Sequence, residues 1–302
     1  MEGELEAGAL RTEDGSWTLH RDSDGGGEAC HSRHGARTEA RRHAEVVLGA
    51  FERRAAGSSP PPVLRILDVG LGPGLNSTAV WERAEGLGLT LAAGSSGRLV
   101  LSGLEIDPDL VRRSLALPDD PDAEFARRHA ALRHGLRAAL AVGAGAPWRG
   151  EIAPGVELEV LFGDARATLA RAQAGEAFDG ILLDPFSPAS DESLWTPEFL
   201  GALAARLAPG GRIATYSAAT RVRAALAAAG LEVGPTPRLG AKAEGTVAVR
   251  GPAAAEFEPR TARRVARRAL ELRAELERGA ALAFPPVSED AGSGAPSADA
   301  PD

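Results

Sequence analysis

Short apolar segments alternate with helical segments from residue 63 onward, and a glycine-rich turn follows the first of them. The expected strands span residues 64–69, 99–104, 157–162, 180–183 and 213–217. Helical patterns follow these strands at 77–85, 109–116, 166–174, 196–207 and 219–229. Uniformly apolar strands are typical of parallel sheets that are covered on both faces. The alternation therefore predicts an α/β protein with a doubly wound sheet.

The glycine-rich turn reads Asp68-Val-Gly70-Leu-Gly72-Pro-Gly74-Leu-Asn76. Glycine lets a chain turn sharply and lets a ligand approach the backbone beside the positive end of a helix. A dinucleotide fingerprint would have its third glycine where Leu75 stands. The spacing instead resembles motif I of class I S-adenosylmethionine (SAM) methyltransferases, although such a turn can also be purely structural. The resemblance implies a Rossmann-like fold and SAM-binding roles for Asp68, Gly70, Gly72, Gly74 and Asn76.

Acidic residues follow the next two expected strands. Glu105 and Asp107 end the strand at 99–104, and a carboxylate there can accept hydrogen bonds from both hydroxyls of a ribose. We expect Glu105 to do so and hold Asp107 as the alternative. Resemblance to the same superfamily places Asp164 near the adenine amino group of SAM, although Asp164 could equally cap the following helix.

A more specific resemblance begins where the fourth strand ends, at Leu183-Asp-Pro-Phe-Ser-Pro188. Trp195-Thr196 follows, then Leu207-Ala-Pro-Gly-Gly-Arg-Ile-Ala-Thr-Tyr216, then Gly240-Ala-Lys242-Ala-Glu244. Together with the glycine-rich turn, these motifs are similar to those of the MnmC-type tRNA methyltransferases, from about Asp14 to Val249. Pro185 departs from the glycine that is frequent there. Ala243 replaces an expected basic residue.

This resemblance implies methyl transfer from SAM to the amine of 5-aminomethyl-(2-thio)uridine at the tRNA wobble position. It assigns Asp184 to catalysis, as the group that orients the amine and takes or relays its proton. Phe186 and Trp195 are candidates to stack on the uracil, or are core residues, and Lys242 is a candidate substrate contact. After Val249 nothing resembles the FAD-dependent oxidase domain of the full-length enzymes, so a stand-alone methyltransferase is expected.

Two other functions remain open from the sequence. One is a methyl- or aminopropyltransferase that acts on a small-molecule amine, which the low overall basicity permits. The other is a catalytically silent SAM-binding or RNA-binding module. The intact glycine-rich turn and Asp184 favour a transferase over a silent module.

The net charge of −8 argues at first against nucleic acid as a partner. Residues 1–14 and 285–302 each carry −4, however, so residues 15–284 are neutral. Arg260, Arg263, Arg264, Arg267 and Arg268 share one face of an expected helix, where they either contact phosphate or pair with nearby acids. We assign tRNA contact to Arg260, Arg264 and Arg267.

The expected organisation has five parts. These are a disordered acidic tail (1–14), an N-terminal strand and helix extension (15–62), the methyltransferase domain (63–255), an arginine-rich C-terminal helix (256–284) and a disordered acidic tail (285–302). No apolar stretch is long enough to span a membrane, and the single cysteine, Cys30, fits the cytoplasm. Cys30, His31, His34 and His43 lack a second ligand pair at metal-binding spacing, so no metal is expected.

Overall fold

A mixed sheet forms the centre of the protein in a computed structural model that describes residues 8–22, 27–54, 63–90, 97–236, 244–251 and 255–277. Eight strands of these residues pair in the order β5-β6-β4-β3-β7-β8-β10-β9. Their bounds are β3 Val63–Val69, β4 Arg98–Glu105, β5 Trp148–Ala153, β6 Val156–Phe162, β7 Phe178–Leu183, β8 Leu207–Thr215, β9 Glu232–Pro235 and β10 Thr246–Val249. A separate hairpin pairs β1, Ala9–Arg11, with β2, Trp17–Leu19.

The strands β6, β4, β3, β7 and β8 are parallel, and β5, β10 and β9 add antiparallel pairings at the two edges. The first of these parallel strands, β3, lies between β4 and β7. The chain therefore leaves β3 toward one side of the sheet and later returns to its other side. Ligands bind α/β sheets at this kind of switch point, beyond the carboxyl ends of the strands.

Helices cover both faces of the sheet. Their bounds are α1 Ala36–Arg54, α2 Leu75–Gly86, α3 Pro108–Ser114, α4 Ala123–Val142, α5 Ala165–Thr168, α6 Pro197–Ala205, α7 Thr220–Ala228 and α8 Pro259–Glu277. One core packs α1, α2 and α4 against the sheet through residues such as Leu48, Trp81 and Phe125. The other packs α6, α7 and α8 through residues such as Phe199, Leu226 and Leu272. The predicted α/β fold with a doubly wound sheet is thus confirmed.

Several local expectations differ from the structure. The helix expected at 166–174 is two short pieces, α5 and a 3-10 turn at Ala172–Gly175, and Gln173 between β6 and β7 has a φ of +46°. The helix α4 and the edge strands β5, β9 and β10 were not foreseen. Among the described residues, no helix is both long and apolar enough to cross a membrane.

The N-terminal segment also departs from the expected solvated tail. Residues 8–14 belong to the hairpin, and Asp14 accepts hydrogen bonds from the Ser16 and Thr38 backbone nitrogens, at 3.1 and 2.9 Å. Burial opposes ionisation of Asp14, but hydrogen bonds from Ser16, Thr38 and Thr12 outweigh it and lower the pKa of this carboxyl. Through these hydrogen bonds, the carboxylate of Asp14 fixes the hairpin to the start of α1. Residues 1–7 and 278–302 lie outside the described residues.

Candidate active site

A cavity of about 320 Å³ opens at the carboxyl ends of β3, β4, β6 and β7. Its floor is formed by the strand ends and the glycine-rich turn, with Gly70, Gly72, Glu105, Asp164 and Asp184. Residues of the N-terminal segment form one wall: Arg21, Glu28, Cys30, His31 and Ser32. The fold therefore brings together three acids predicted at strand ends, Glu105, Asp164 and Asp184, and it adds a wall that was not predicted.

The glycine-rich turn needs glycine for two physical reasons. Gly70 has a φ of +84°, and a Cβ there would lie 2.9 Å from the Asp184 carbonyl oxygen. Gly74 has a φ of +79°, and a Cβ there would lie 2.4 Å from a methyl group of Leu132. Gly70 and Gly72 line the cavity, whereas Gly74 packs against α4 behind the turn.

Two residues of this motif support the turn from behind and do not line the cavity. Asp68 is buried and accepts a hydrogen bond of 2.7 Å from the Ser77 hydroxyl, and burial raises the pKa of its carboxyl well above the usual range. Asn76, in the first turn of α2, donates to Asp184. Both side chains are directed into the protein, and contact of Asp68 and Asn76 with the cofactor stays a prediction.

Glu105 joins the end of β4 to the glycine-rich turn. Its carboxylate accepts from the Gly72 nitrogen at 2.8 Å and from the Asp107 nitrogen at 2.9 Å. Burial raises the pKa of Glu105. Asp107 instead caps α3, accepting from the Asp109 and Leu110 nitrogens. Both candidates for the ribose line the cavity, and Glu105 is the one whose carboxylate is bound to the glycine-rich turn.

Asp164 caps α5 through the Arg166 nitrogen, at 2.9 Å, and also faces the cavity. The Arg166 guanidinium pairs with the same carboxylate and lowers its pKa. The capping role and the position beside the cofactor site were alternatives in the sequence. In the structure Asp164 caps α5 and lines the cavity, and its place near the adenine amino group stays a prediction.

Asp184 follows β7 and has a buried side chain, 7% exposed, on the cavity wall. Its Oδ2 accepts a hydrogen bond of 2.6 Å from Asn76 Nδ2 and lies 3.9 Å from both His31 Nε2 and His43 Nδ1. Burial raises the pKa of Asp184, while the two imidazoles and Asn76 oppose that rise. A buried carboxylate with a raised pKa is suited to accept a proton near neutral pH.

The segment after Asp184 is held in place by residues from distant parts of the chain. Glu28 accepts from the Ser187 nitrogen and from the Ser190 hydroxyl, at 3.0 and 2.9 Å. The Tyr216 hydroxyl donates to the Pro185 carbonyl oxygen at 3.0 Å. Proline at 185 has no backbone donor, but its carbonyl oxygen still anchors the loop. The loop is therefore fixed on both sides of Phe186.

Phe186 and Trp195, the two candidates for stacking on a base, have different positions. Phe186 lines the cavity, and the Arg21 guanidinium lies 5.1 Å from its ring centroid. Trp195 is only 4% exposed, packs in the core and donates from its indole nitrogen to the Phe186 carbonyl oxygen at 2.9 Å. Of the two alternatives for Trp195, the structure favours a core residue that supports Phe186, and stacking of Trp195 on a base stays an untested prediction.

The predicted tRNA contacts lie away from the cavity floor. Arg260, Arg264 and Arg267 are exposed on α8, whose opposite face buries Val265, Ala269 and Leu272. Arg267 lies 3.8 Å from Glu271, whereas Arg260 and Arg264 form no ion pair within the part of the chain that the structure describes. Pairing with acids therefore accounts for part of this arginine face. Lys242 lies outside the described residues.

Sequence reasoning missed the contributions of Arg21, Glu28, His31 and His43. The one available signal is that these residues fall within the stretch, from about Asp14 to Val249, that resembles the family. No spacing in the sequence shows that residues 31 and 43 meet residue 184. Among the described residues, no group of three or more His, Cys, Asp or Glu side chains is placed to hold a metal ion.

Comparison with known proteins shows which family this chain resembles. Residues 145–251 match a family described as S-adenosyl-L-methionine-dependent methyltransferase. The crystal structure of MnmC2 from Aquifex aeolicus superposes with a TM-score of 0.66 and 26% identity, covering 87% of this chain and 77% of that one. The chain is related to the MnmC-type methyltransferases. The family's cofactor, SAM, is the one predicted from the glycine-rich turn.

Two MnmC relatives extend the comparison to the sequence level. The tRNA 5-methylaminomethyl-2-thiouridine biosynthesis bifunctional protein MnmC of Pseudomonas aeruginosa is 32% identical over 72% of this chain and 32% of its own length. Its counterpart in Ralstonia nicotianae is 36% identical over 64% of this chain and 29% of its own length. The chain thus matches less than a third of the length of these MnmC proteins.

Proposed function

We propose that this chain transfers a methyl group from SAM to the primary amine of 5-aminomethyl-(2-thio)uridine at the wobble position of tRNA. The observation that carries the proposal is the buried carboxylate of Asp184 at the wall of the cavity, next to the glycine-rich turn. Relatives that match this chain are named for biosynthesis of the methylaminomethyl nucleoside. An acid at this position suits an acceptor that must lose a proton before it can react.

The residues on the cavity floor fit SAM. Gly70 and Gly72 leave the backbone open to a ligand, and Glu105 presents a carboxylate whose remaining lone pairs can accept from ribose hydroxyls. Leu104, Ile106 and Leu110 supply apolar surface for an adenine ring. When bound, SAM supplies an electrophilic methyl group on a sulfonium with a good leaving group. The residues therefore need mainly to align the acceptor.

Asp184 orients the acceptor amine and removes its proton. An alkylamine is mostly protonated at neutral pH, and its ammonium form has no lone pair. The carboxylate of Asp184 is fixed by the hydrogen bond from Asn76, and its raised pKa makes it a better base than an exposed aspartate. It can thus hold the amine as a neutral nucleophile facing the methyl group.

The base that carries the amine would lie on Phe186. Aromatic rings that line a site commonly stack on unpaired bases in RNA recognition. Arg21 lies over the same ring and places a positive charge at the entrance of the cavity. Glu28 and Tyr216 hold the loop on either side, so that the ring is presented in one orientation.

Contact with the rest of the tRNA is assigned to the exposed arginines of α8, Arg260, Arg264 and Arg267, and to Lys242. A clustered basic face is the usual electrostatic signature of phosphate binding. The enzyme would act in the cytoplasm, where its tRNA substrate is found.

Nucleoside mass spectrometry of tRNA from a strain that lacks this gene tests the proposal. We expect the methylaminomethyl nucleoside to disappear and its aminomethyl precursor to accumulate. The wild-type gene should restore the product, and a gene encoding Asp184→Asn should not. An unchanged level of methylaminomethyl nucleoside in the deletion strain would refute the tRNA substrate.

A further inference from the structure

We propose that His31 and Asp184 act as a pair that shares the proton removed from the acceptor amine. The inference rests on the proposed function for the origin of that proton, but the pair itself is defined by geometry. His31 Nε2 lies 3.9 Å from Asp184 Oδ2, and both side chains line the cavity while being largely buried. An imidazole at this distance needs only a small movement or one bridging water to exchange a proton with the carboxylate.

The second histidine, His43, has a different role. It is buried and does not line the cavity, and its Nδ1 lies 3.4 Å from Asn76 Oδ1. Asn76 in turn donates to Asp184 at 2.6 Å. The amide of Asn76 therefore links His43 to Asp184 and positions the carboxylate from inside the protein. His31 is left on the cavity side, where a proton can leave.

The groups that face the pair are Cys30 beside His31, Glu39 and His43 from α1, Asp68 from β3, Glu105 from β4, His129 from α4 and Tyr216 after β8. Burial lowers the pKa of His129 to about 4, so this imidazole adds no positive charge at neutral pH. Burial raises the pKa of Asp68 and of Glu105, which weakens the negative charge of these two carboxyls. The carboxylate of Asp184, 3.9 Å from His31 Nε2, is therefore the charge that favours a proton on the imidazole.

Each turnover moves one methyl group to the amine and one proton through the pair to solvent. The acceptor ammonium gives one proton to the pair and becomes a neutral amine. The nitrogen lone pair forms a bond to the methyl carbon as the carbon–sulfur bond breaks, and that bonding pair stays on sulfur, giving neutral S-adenosylhomocysteine. The product is a secondary ammonium. The proton on the pair then passes from His31 to solvent through the cavity, which restores the starting state.

Single-turnover methyl transfer at several pH values tests this pair in the full chain. We expect His31→Gln to lower the rate about 100-fold, to change the pH profile, and to leave SAM affinity unchanged by calorimetry. Imidazole in the buffer should partly restore His31→Ala. His34→Gln is the matched control, because His34 is a histidine of the same segment whose side chain is exposed. A His31→Gln profile that matches the wild type, or a loss of SAM affinity with it, would overturn the inference.

A measurement without turnover separates this inference from the proposed function. Titration of the histidine imidazoles by NMR should show His31 becoming protonated at lower pH in Asp184→Asn than in the wild type, because the carboxylate stabilises the imidazolium. His34 should titrate identically in both proteins. An unchanged His31 titration would refute the pair even if tRNA is methylated. A shifted titration without tRNA methylation would support the pair and refute the proposed substrate.

Discussion

Asn76 and Asp184 are joined by a hydrogen bond of 2.6 Å although 108 positions separate them in the sequence. Asn76 belongs to the first turn of the helix after the glycine-rich turn, and Asp184 follows the neighbouring parallel strand. The bond couples the part of the molecule expected to hold the cofactor to the part expected to activate the acceptor. Positioning of the two reactants thus depends on one side-chain contact.

Asp184→Asn should abolish turnover and preserve cofactor binding. Asparagine retains the shape of the side chain but cannot accept the proton of the amine, so we expect at least a 100-fold loss in kcat. SAM affinity measured by calorimetry should stay within about twofold of the wild type, a change well under 1 kcal/mol. Asp109→Asn, at an exposed aspartate, is the control. Retained turnover in Asp184→Asn would remove the role assigned to this acid.

Asn76→Ala should shift the acidic limb of the pH–rate profile toward higher pH. The hydrogen bond from Asn76 lowers the pKa of Asp184, so its loss raises that pKa further and the ionised base is lost sooner on acidification. We expect kcat to fall about tenfold near neutral pH, the effect of losing a hydrogen bond to a charged group. A pH–rate profile with an unmoved acidic limb would contradict this coupling.

Substitutions at Glu105 and Asp107 should have different effects: the first should weaken cofactor binding, and the second should remove a helix cap. Glu105→Ala should weaken SAM binding about tenfold or more, because two hydrogen bonds to the ribose and the anchor of Gly72 are lost together. Asp107→Ala should instead cost about 1 kcal/mol of stability through the lost cap of α3. Calorimetry and denaturant unfolding measure the two effects. The reverse pattern would make Asp107 the ribose ligand.

Gly70→Ala should destabilise the protein by more than about 2 kcal/mol, since a side chain there combines a positive φ with a backbone clash. Gly86→Ala is the matched control, at the end of α2, where a Cβ would meet no atom within 4 Å. That change should be neutral or stabilising by up to about 1 kcal/mol. Thermal unfolding of both variants checks the comparison, and equal melting temperatures would contradict it.

Charge reversal on α8 tests the assigned tRNA contacts. The double variant Arg264→Glu, Arg267→Glu should raise the KM for tRNA about tenfold and leave SAM affinity unchanged, because phosphate contacts contribute only to RNA docking. Arg137→Glu, on exposed surface of α4, serves as the control. The difference in KM for tRNA between the double variant and the control should become smaller as salt is added, because salt screens the charges. A KM equal to that of the control would exclude α8 from RNA contact.

The parallel core could be predicted because its strands are short and mainly apolar and alternate with helical segments. The edge strand β5 could not, because Trp148–Ala153 alternates half-buried and exposed residues and includes two charged ones. The helix α4 was missed for a related reason: its many arginines obscure the stripe of Phe125, Leu132 and Leu136 that enters the core. Edge and surface elements depend on tertiary packing more than on local pattern.

The site could be predicted in part, for a topological reason. Parallel strands end at one edge of the sheet, so Glu105, Asp164 and Asp184 had to lie near one another once the strands were assigned. The wall formed by His31 and Arg21 depends on how the N-terminal hairpin folds back, which no local pattern encodes. The sequence also does not show which way a side chain points. Trp195, Asp68 and Asn76 all face the interior.

An assay with purified components tests directly whether this chain methylates the aminomethyl nucleoside of tRNA. The chain is incubated with methyl-labelled SAM and tRNA that carries the aminomethyl nucleoside, and the tRNA is digested and analysed by mass spectrometry. Small-molecule amines replace the tRNA in parallel reactions, and Asp184→Asn replaces the wild type as the control. We expect label on the exocyclic amine of the wobble nucleoside with the wild type and none with Asp184→Asn. We expect no transfer of label to the small amines. Label found only on small amines, or none on the nucleoside, would contradict the proposed function.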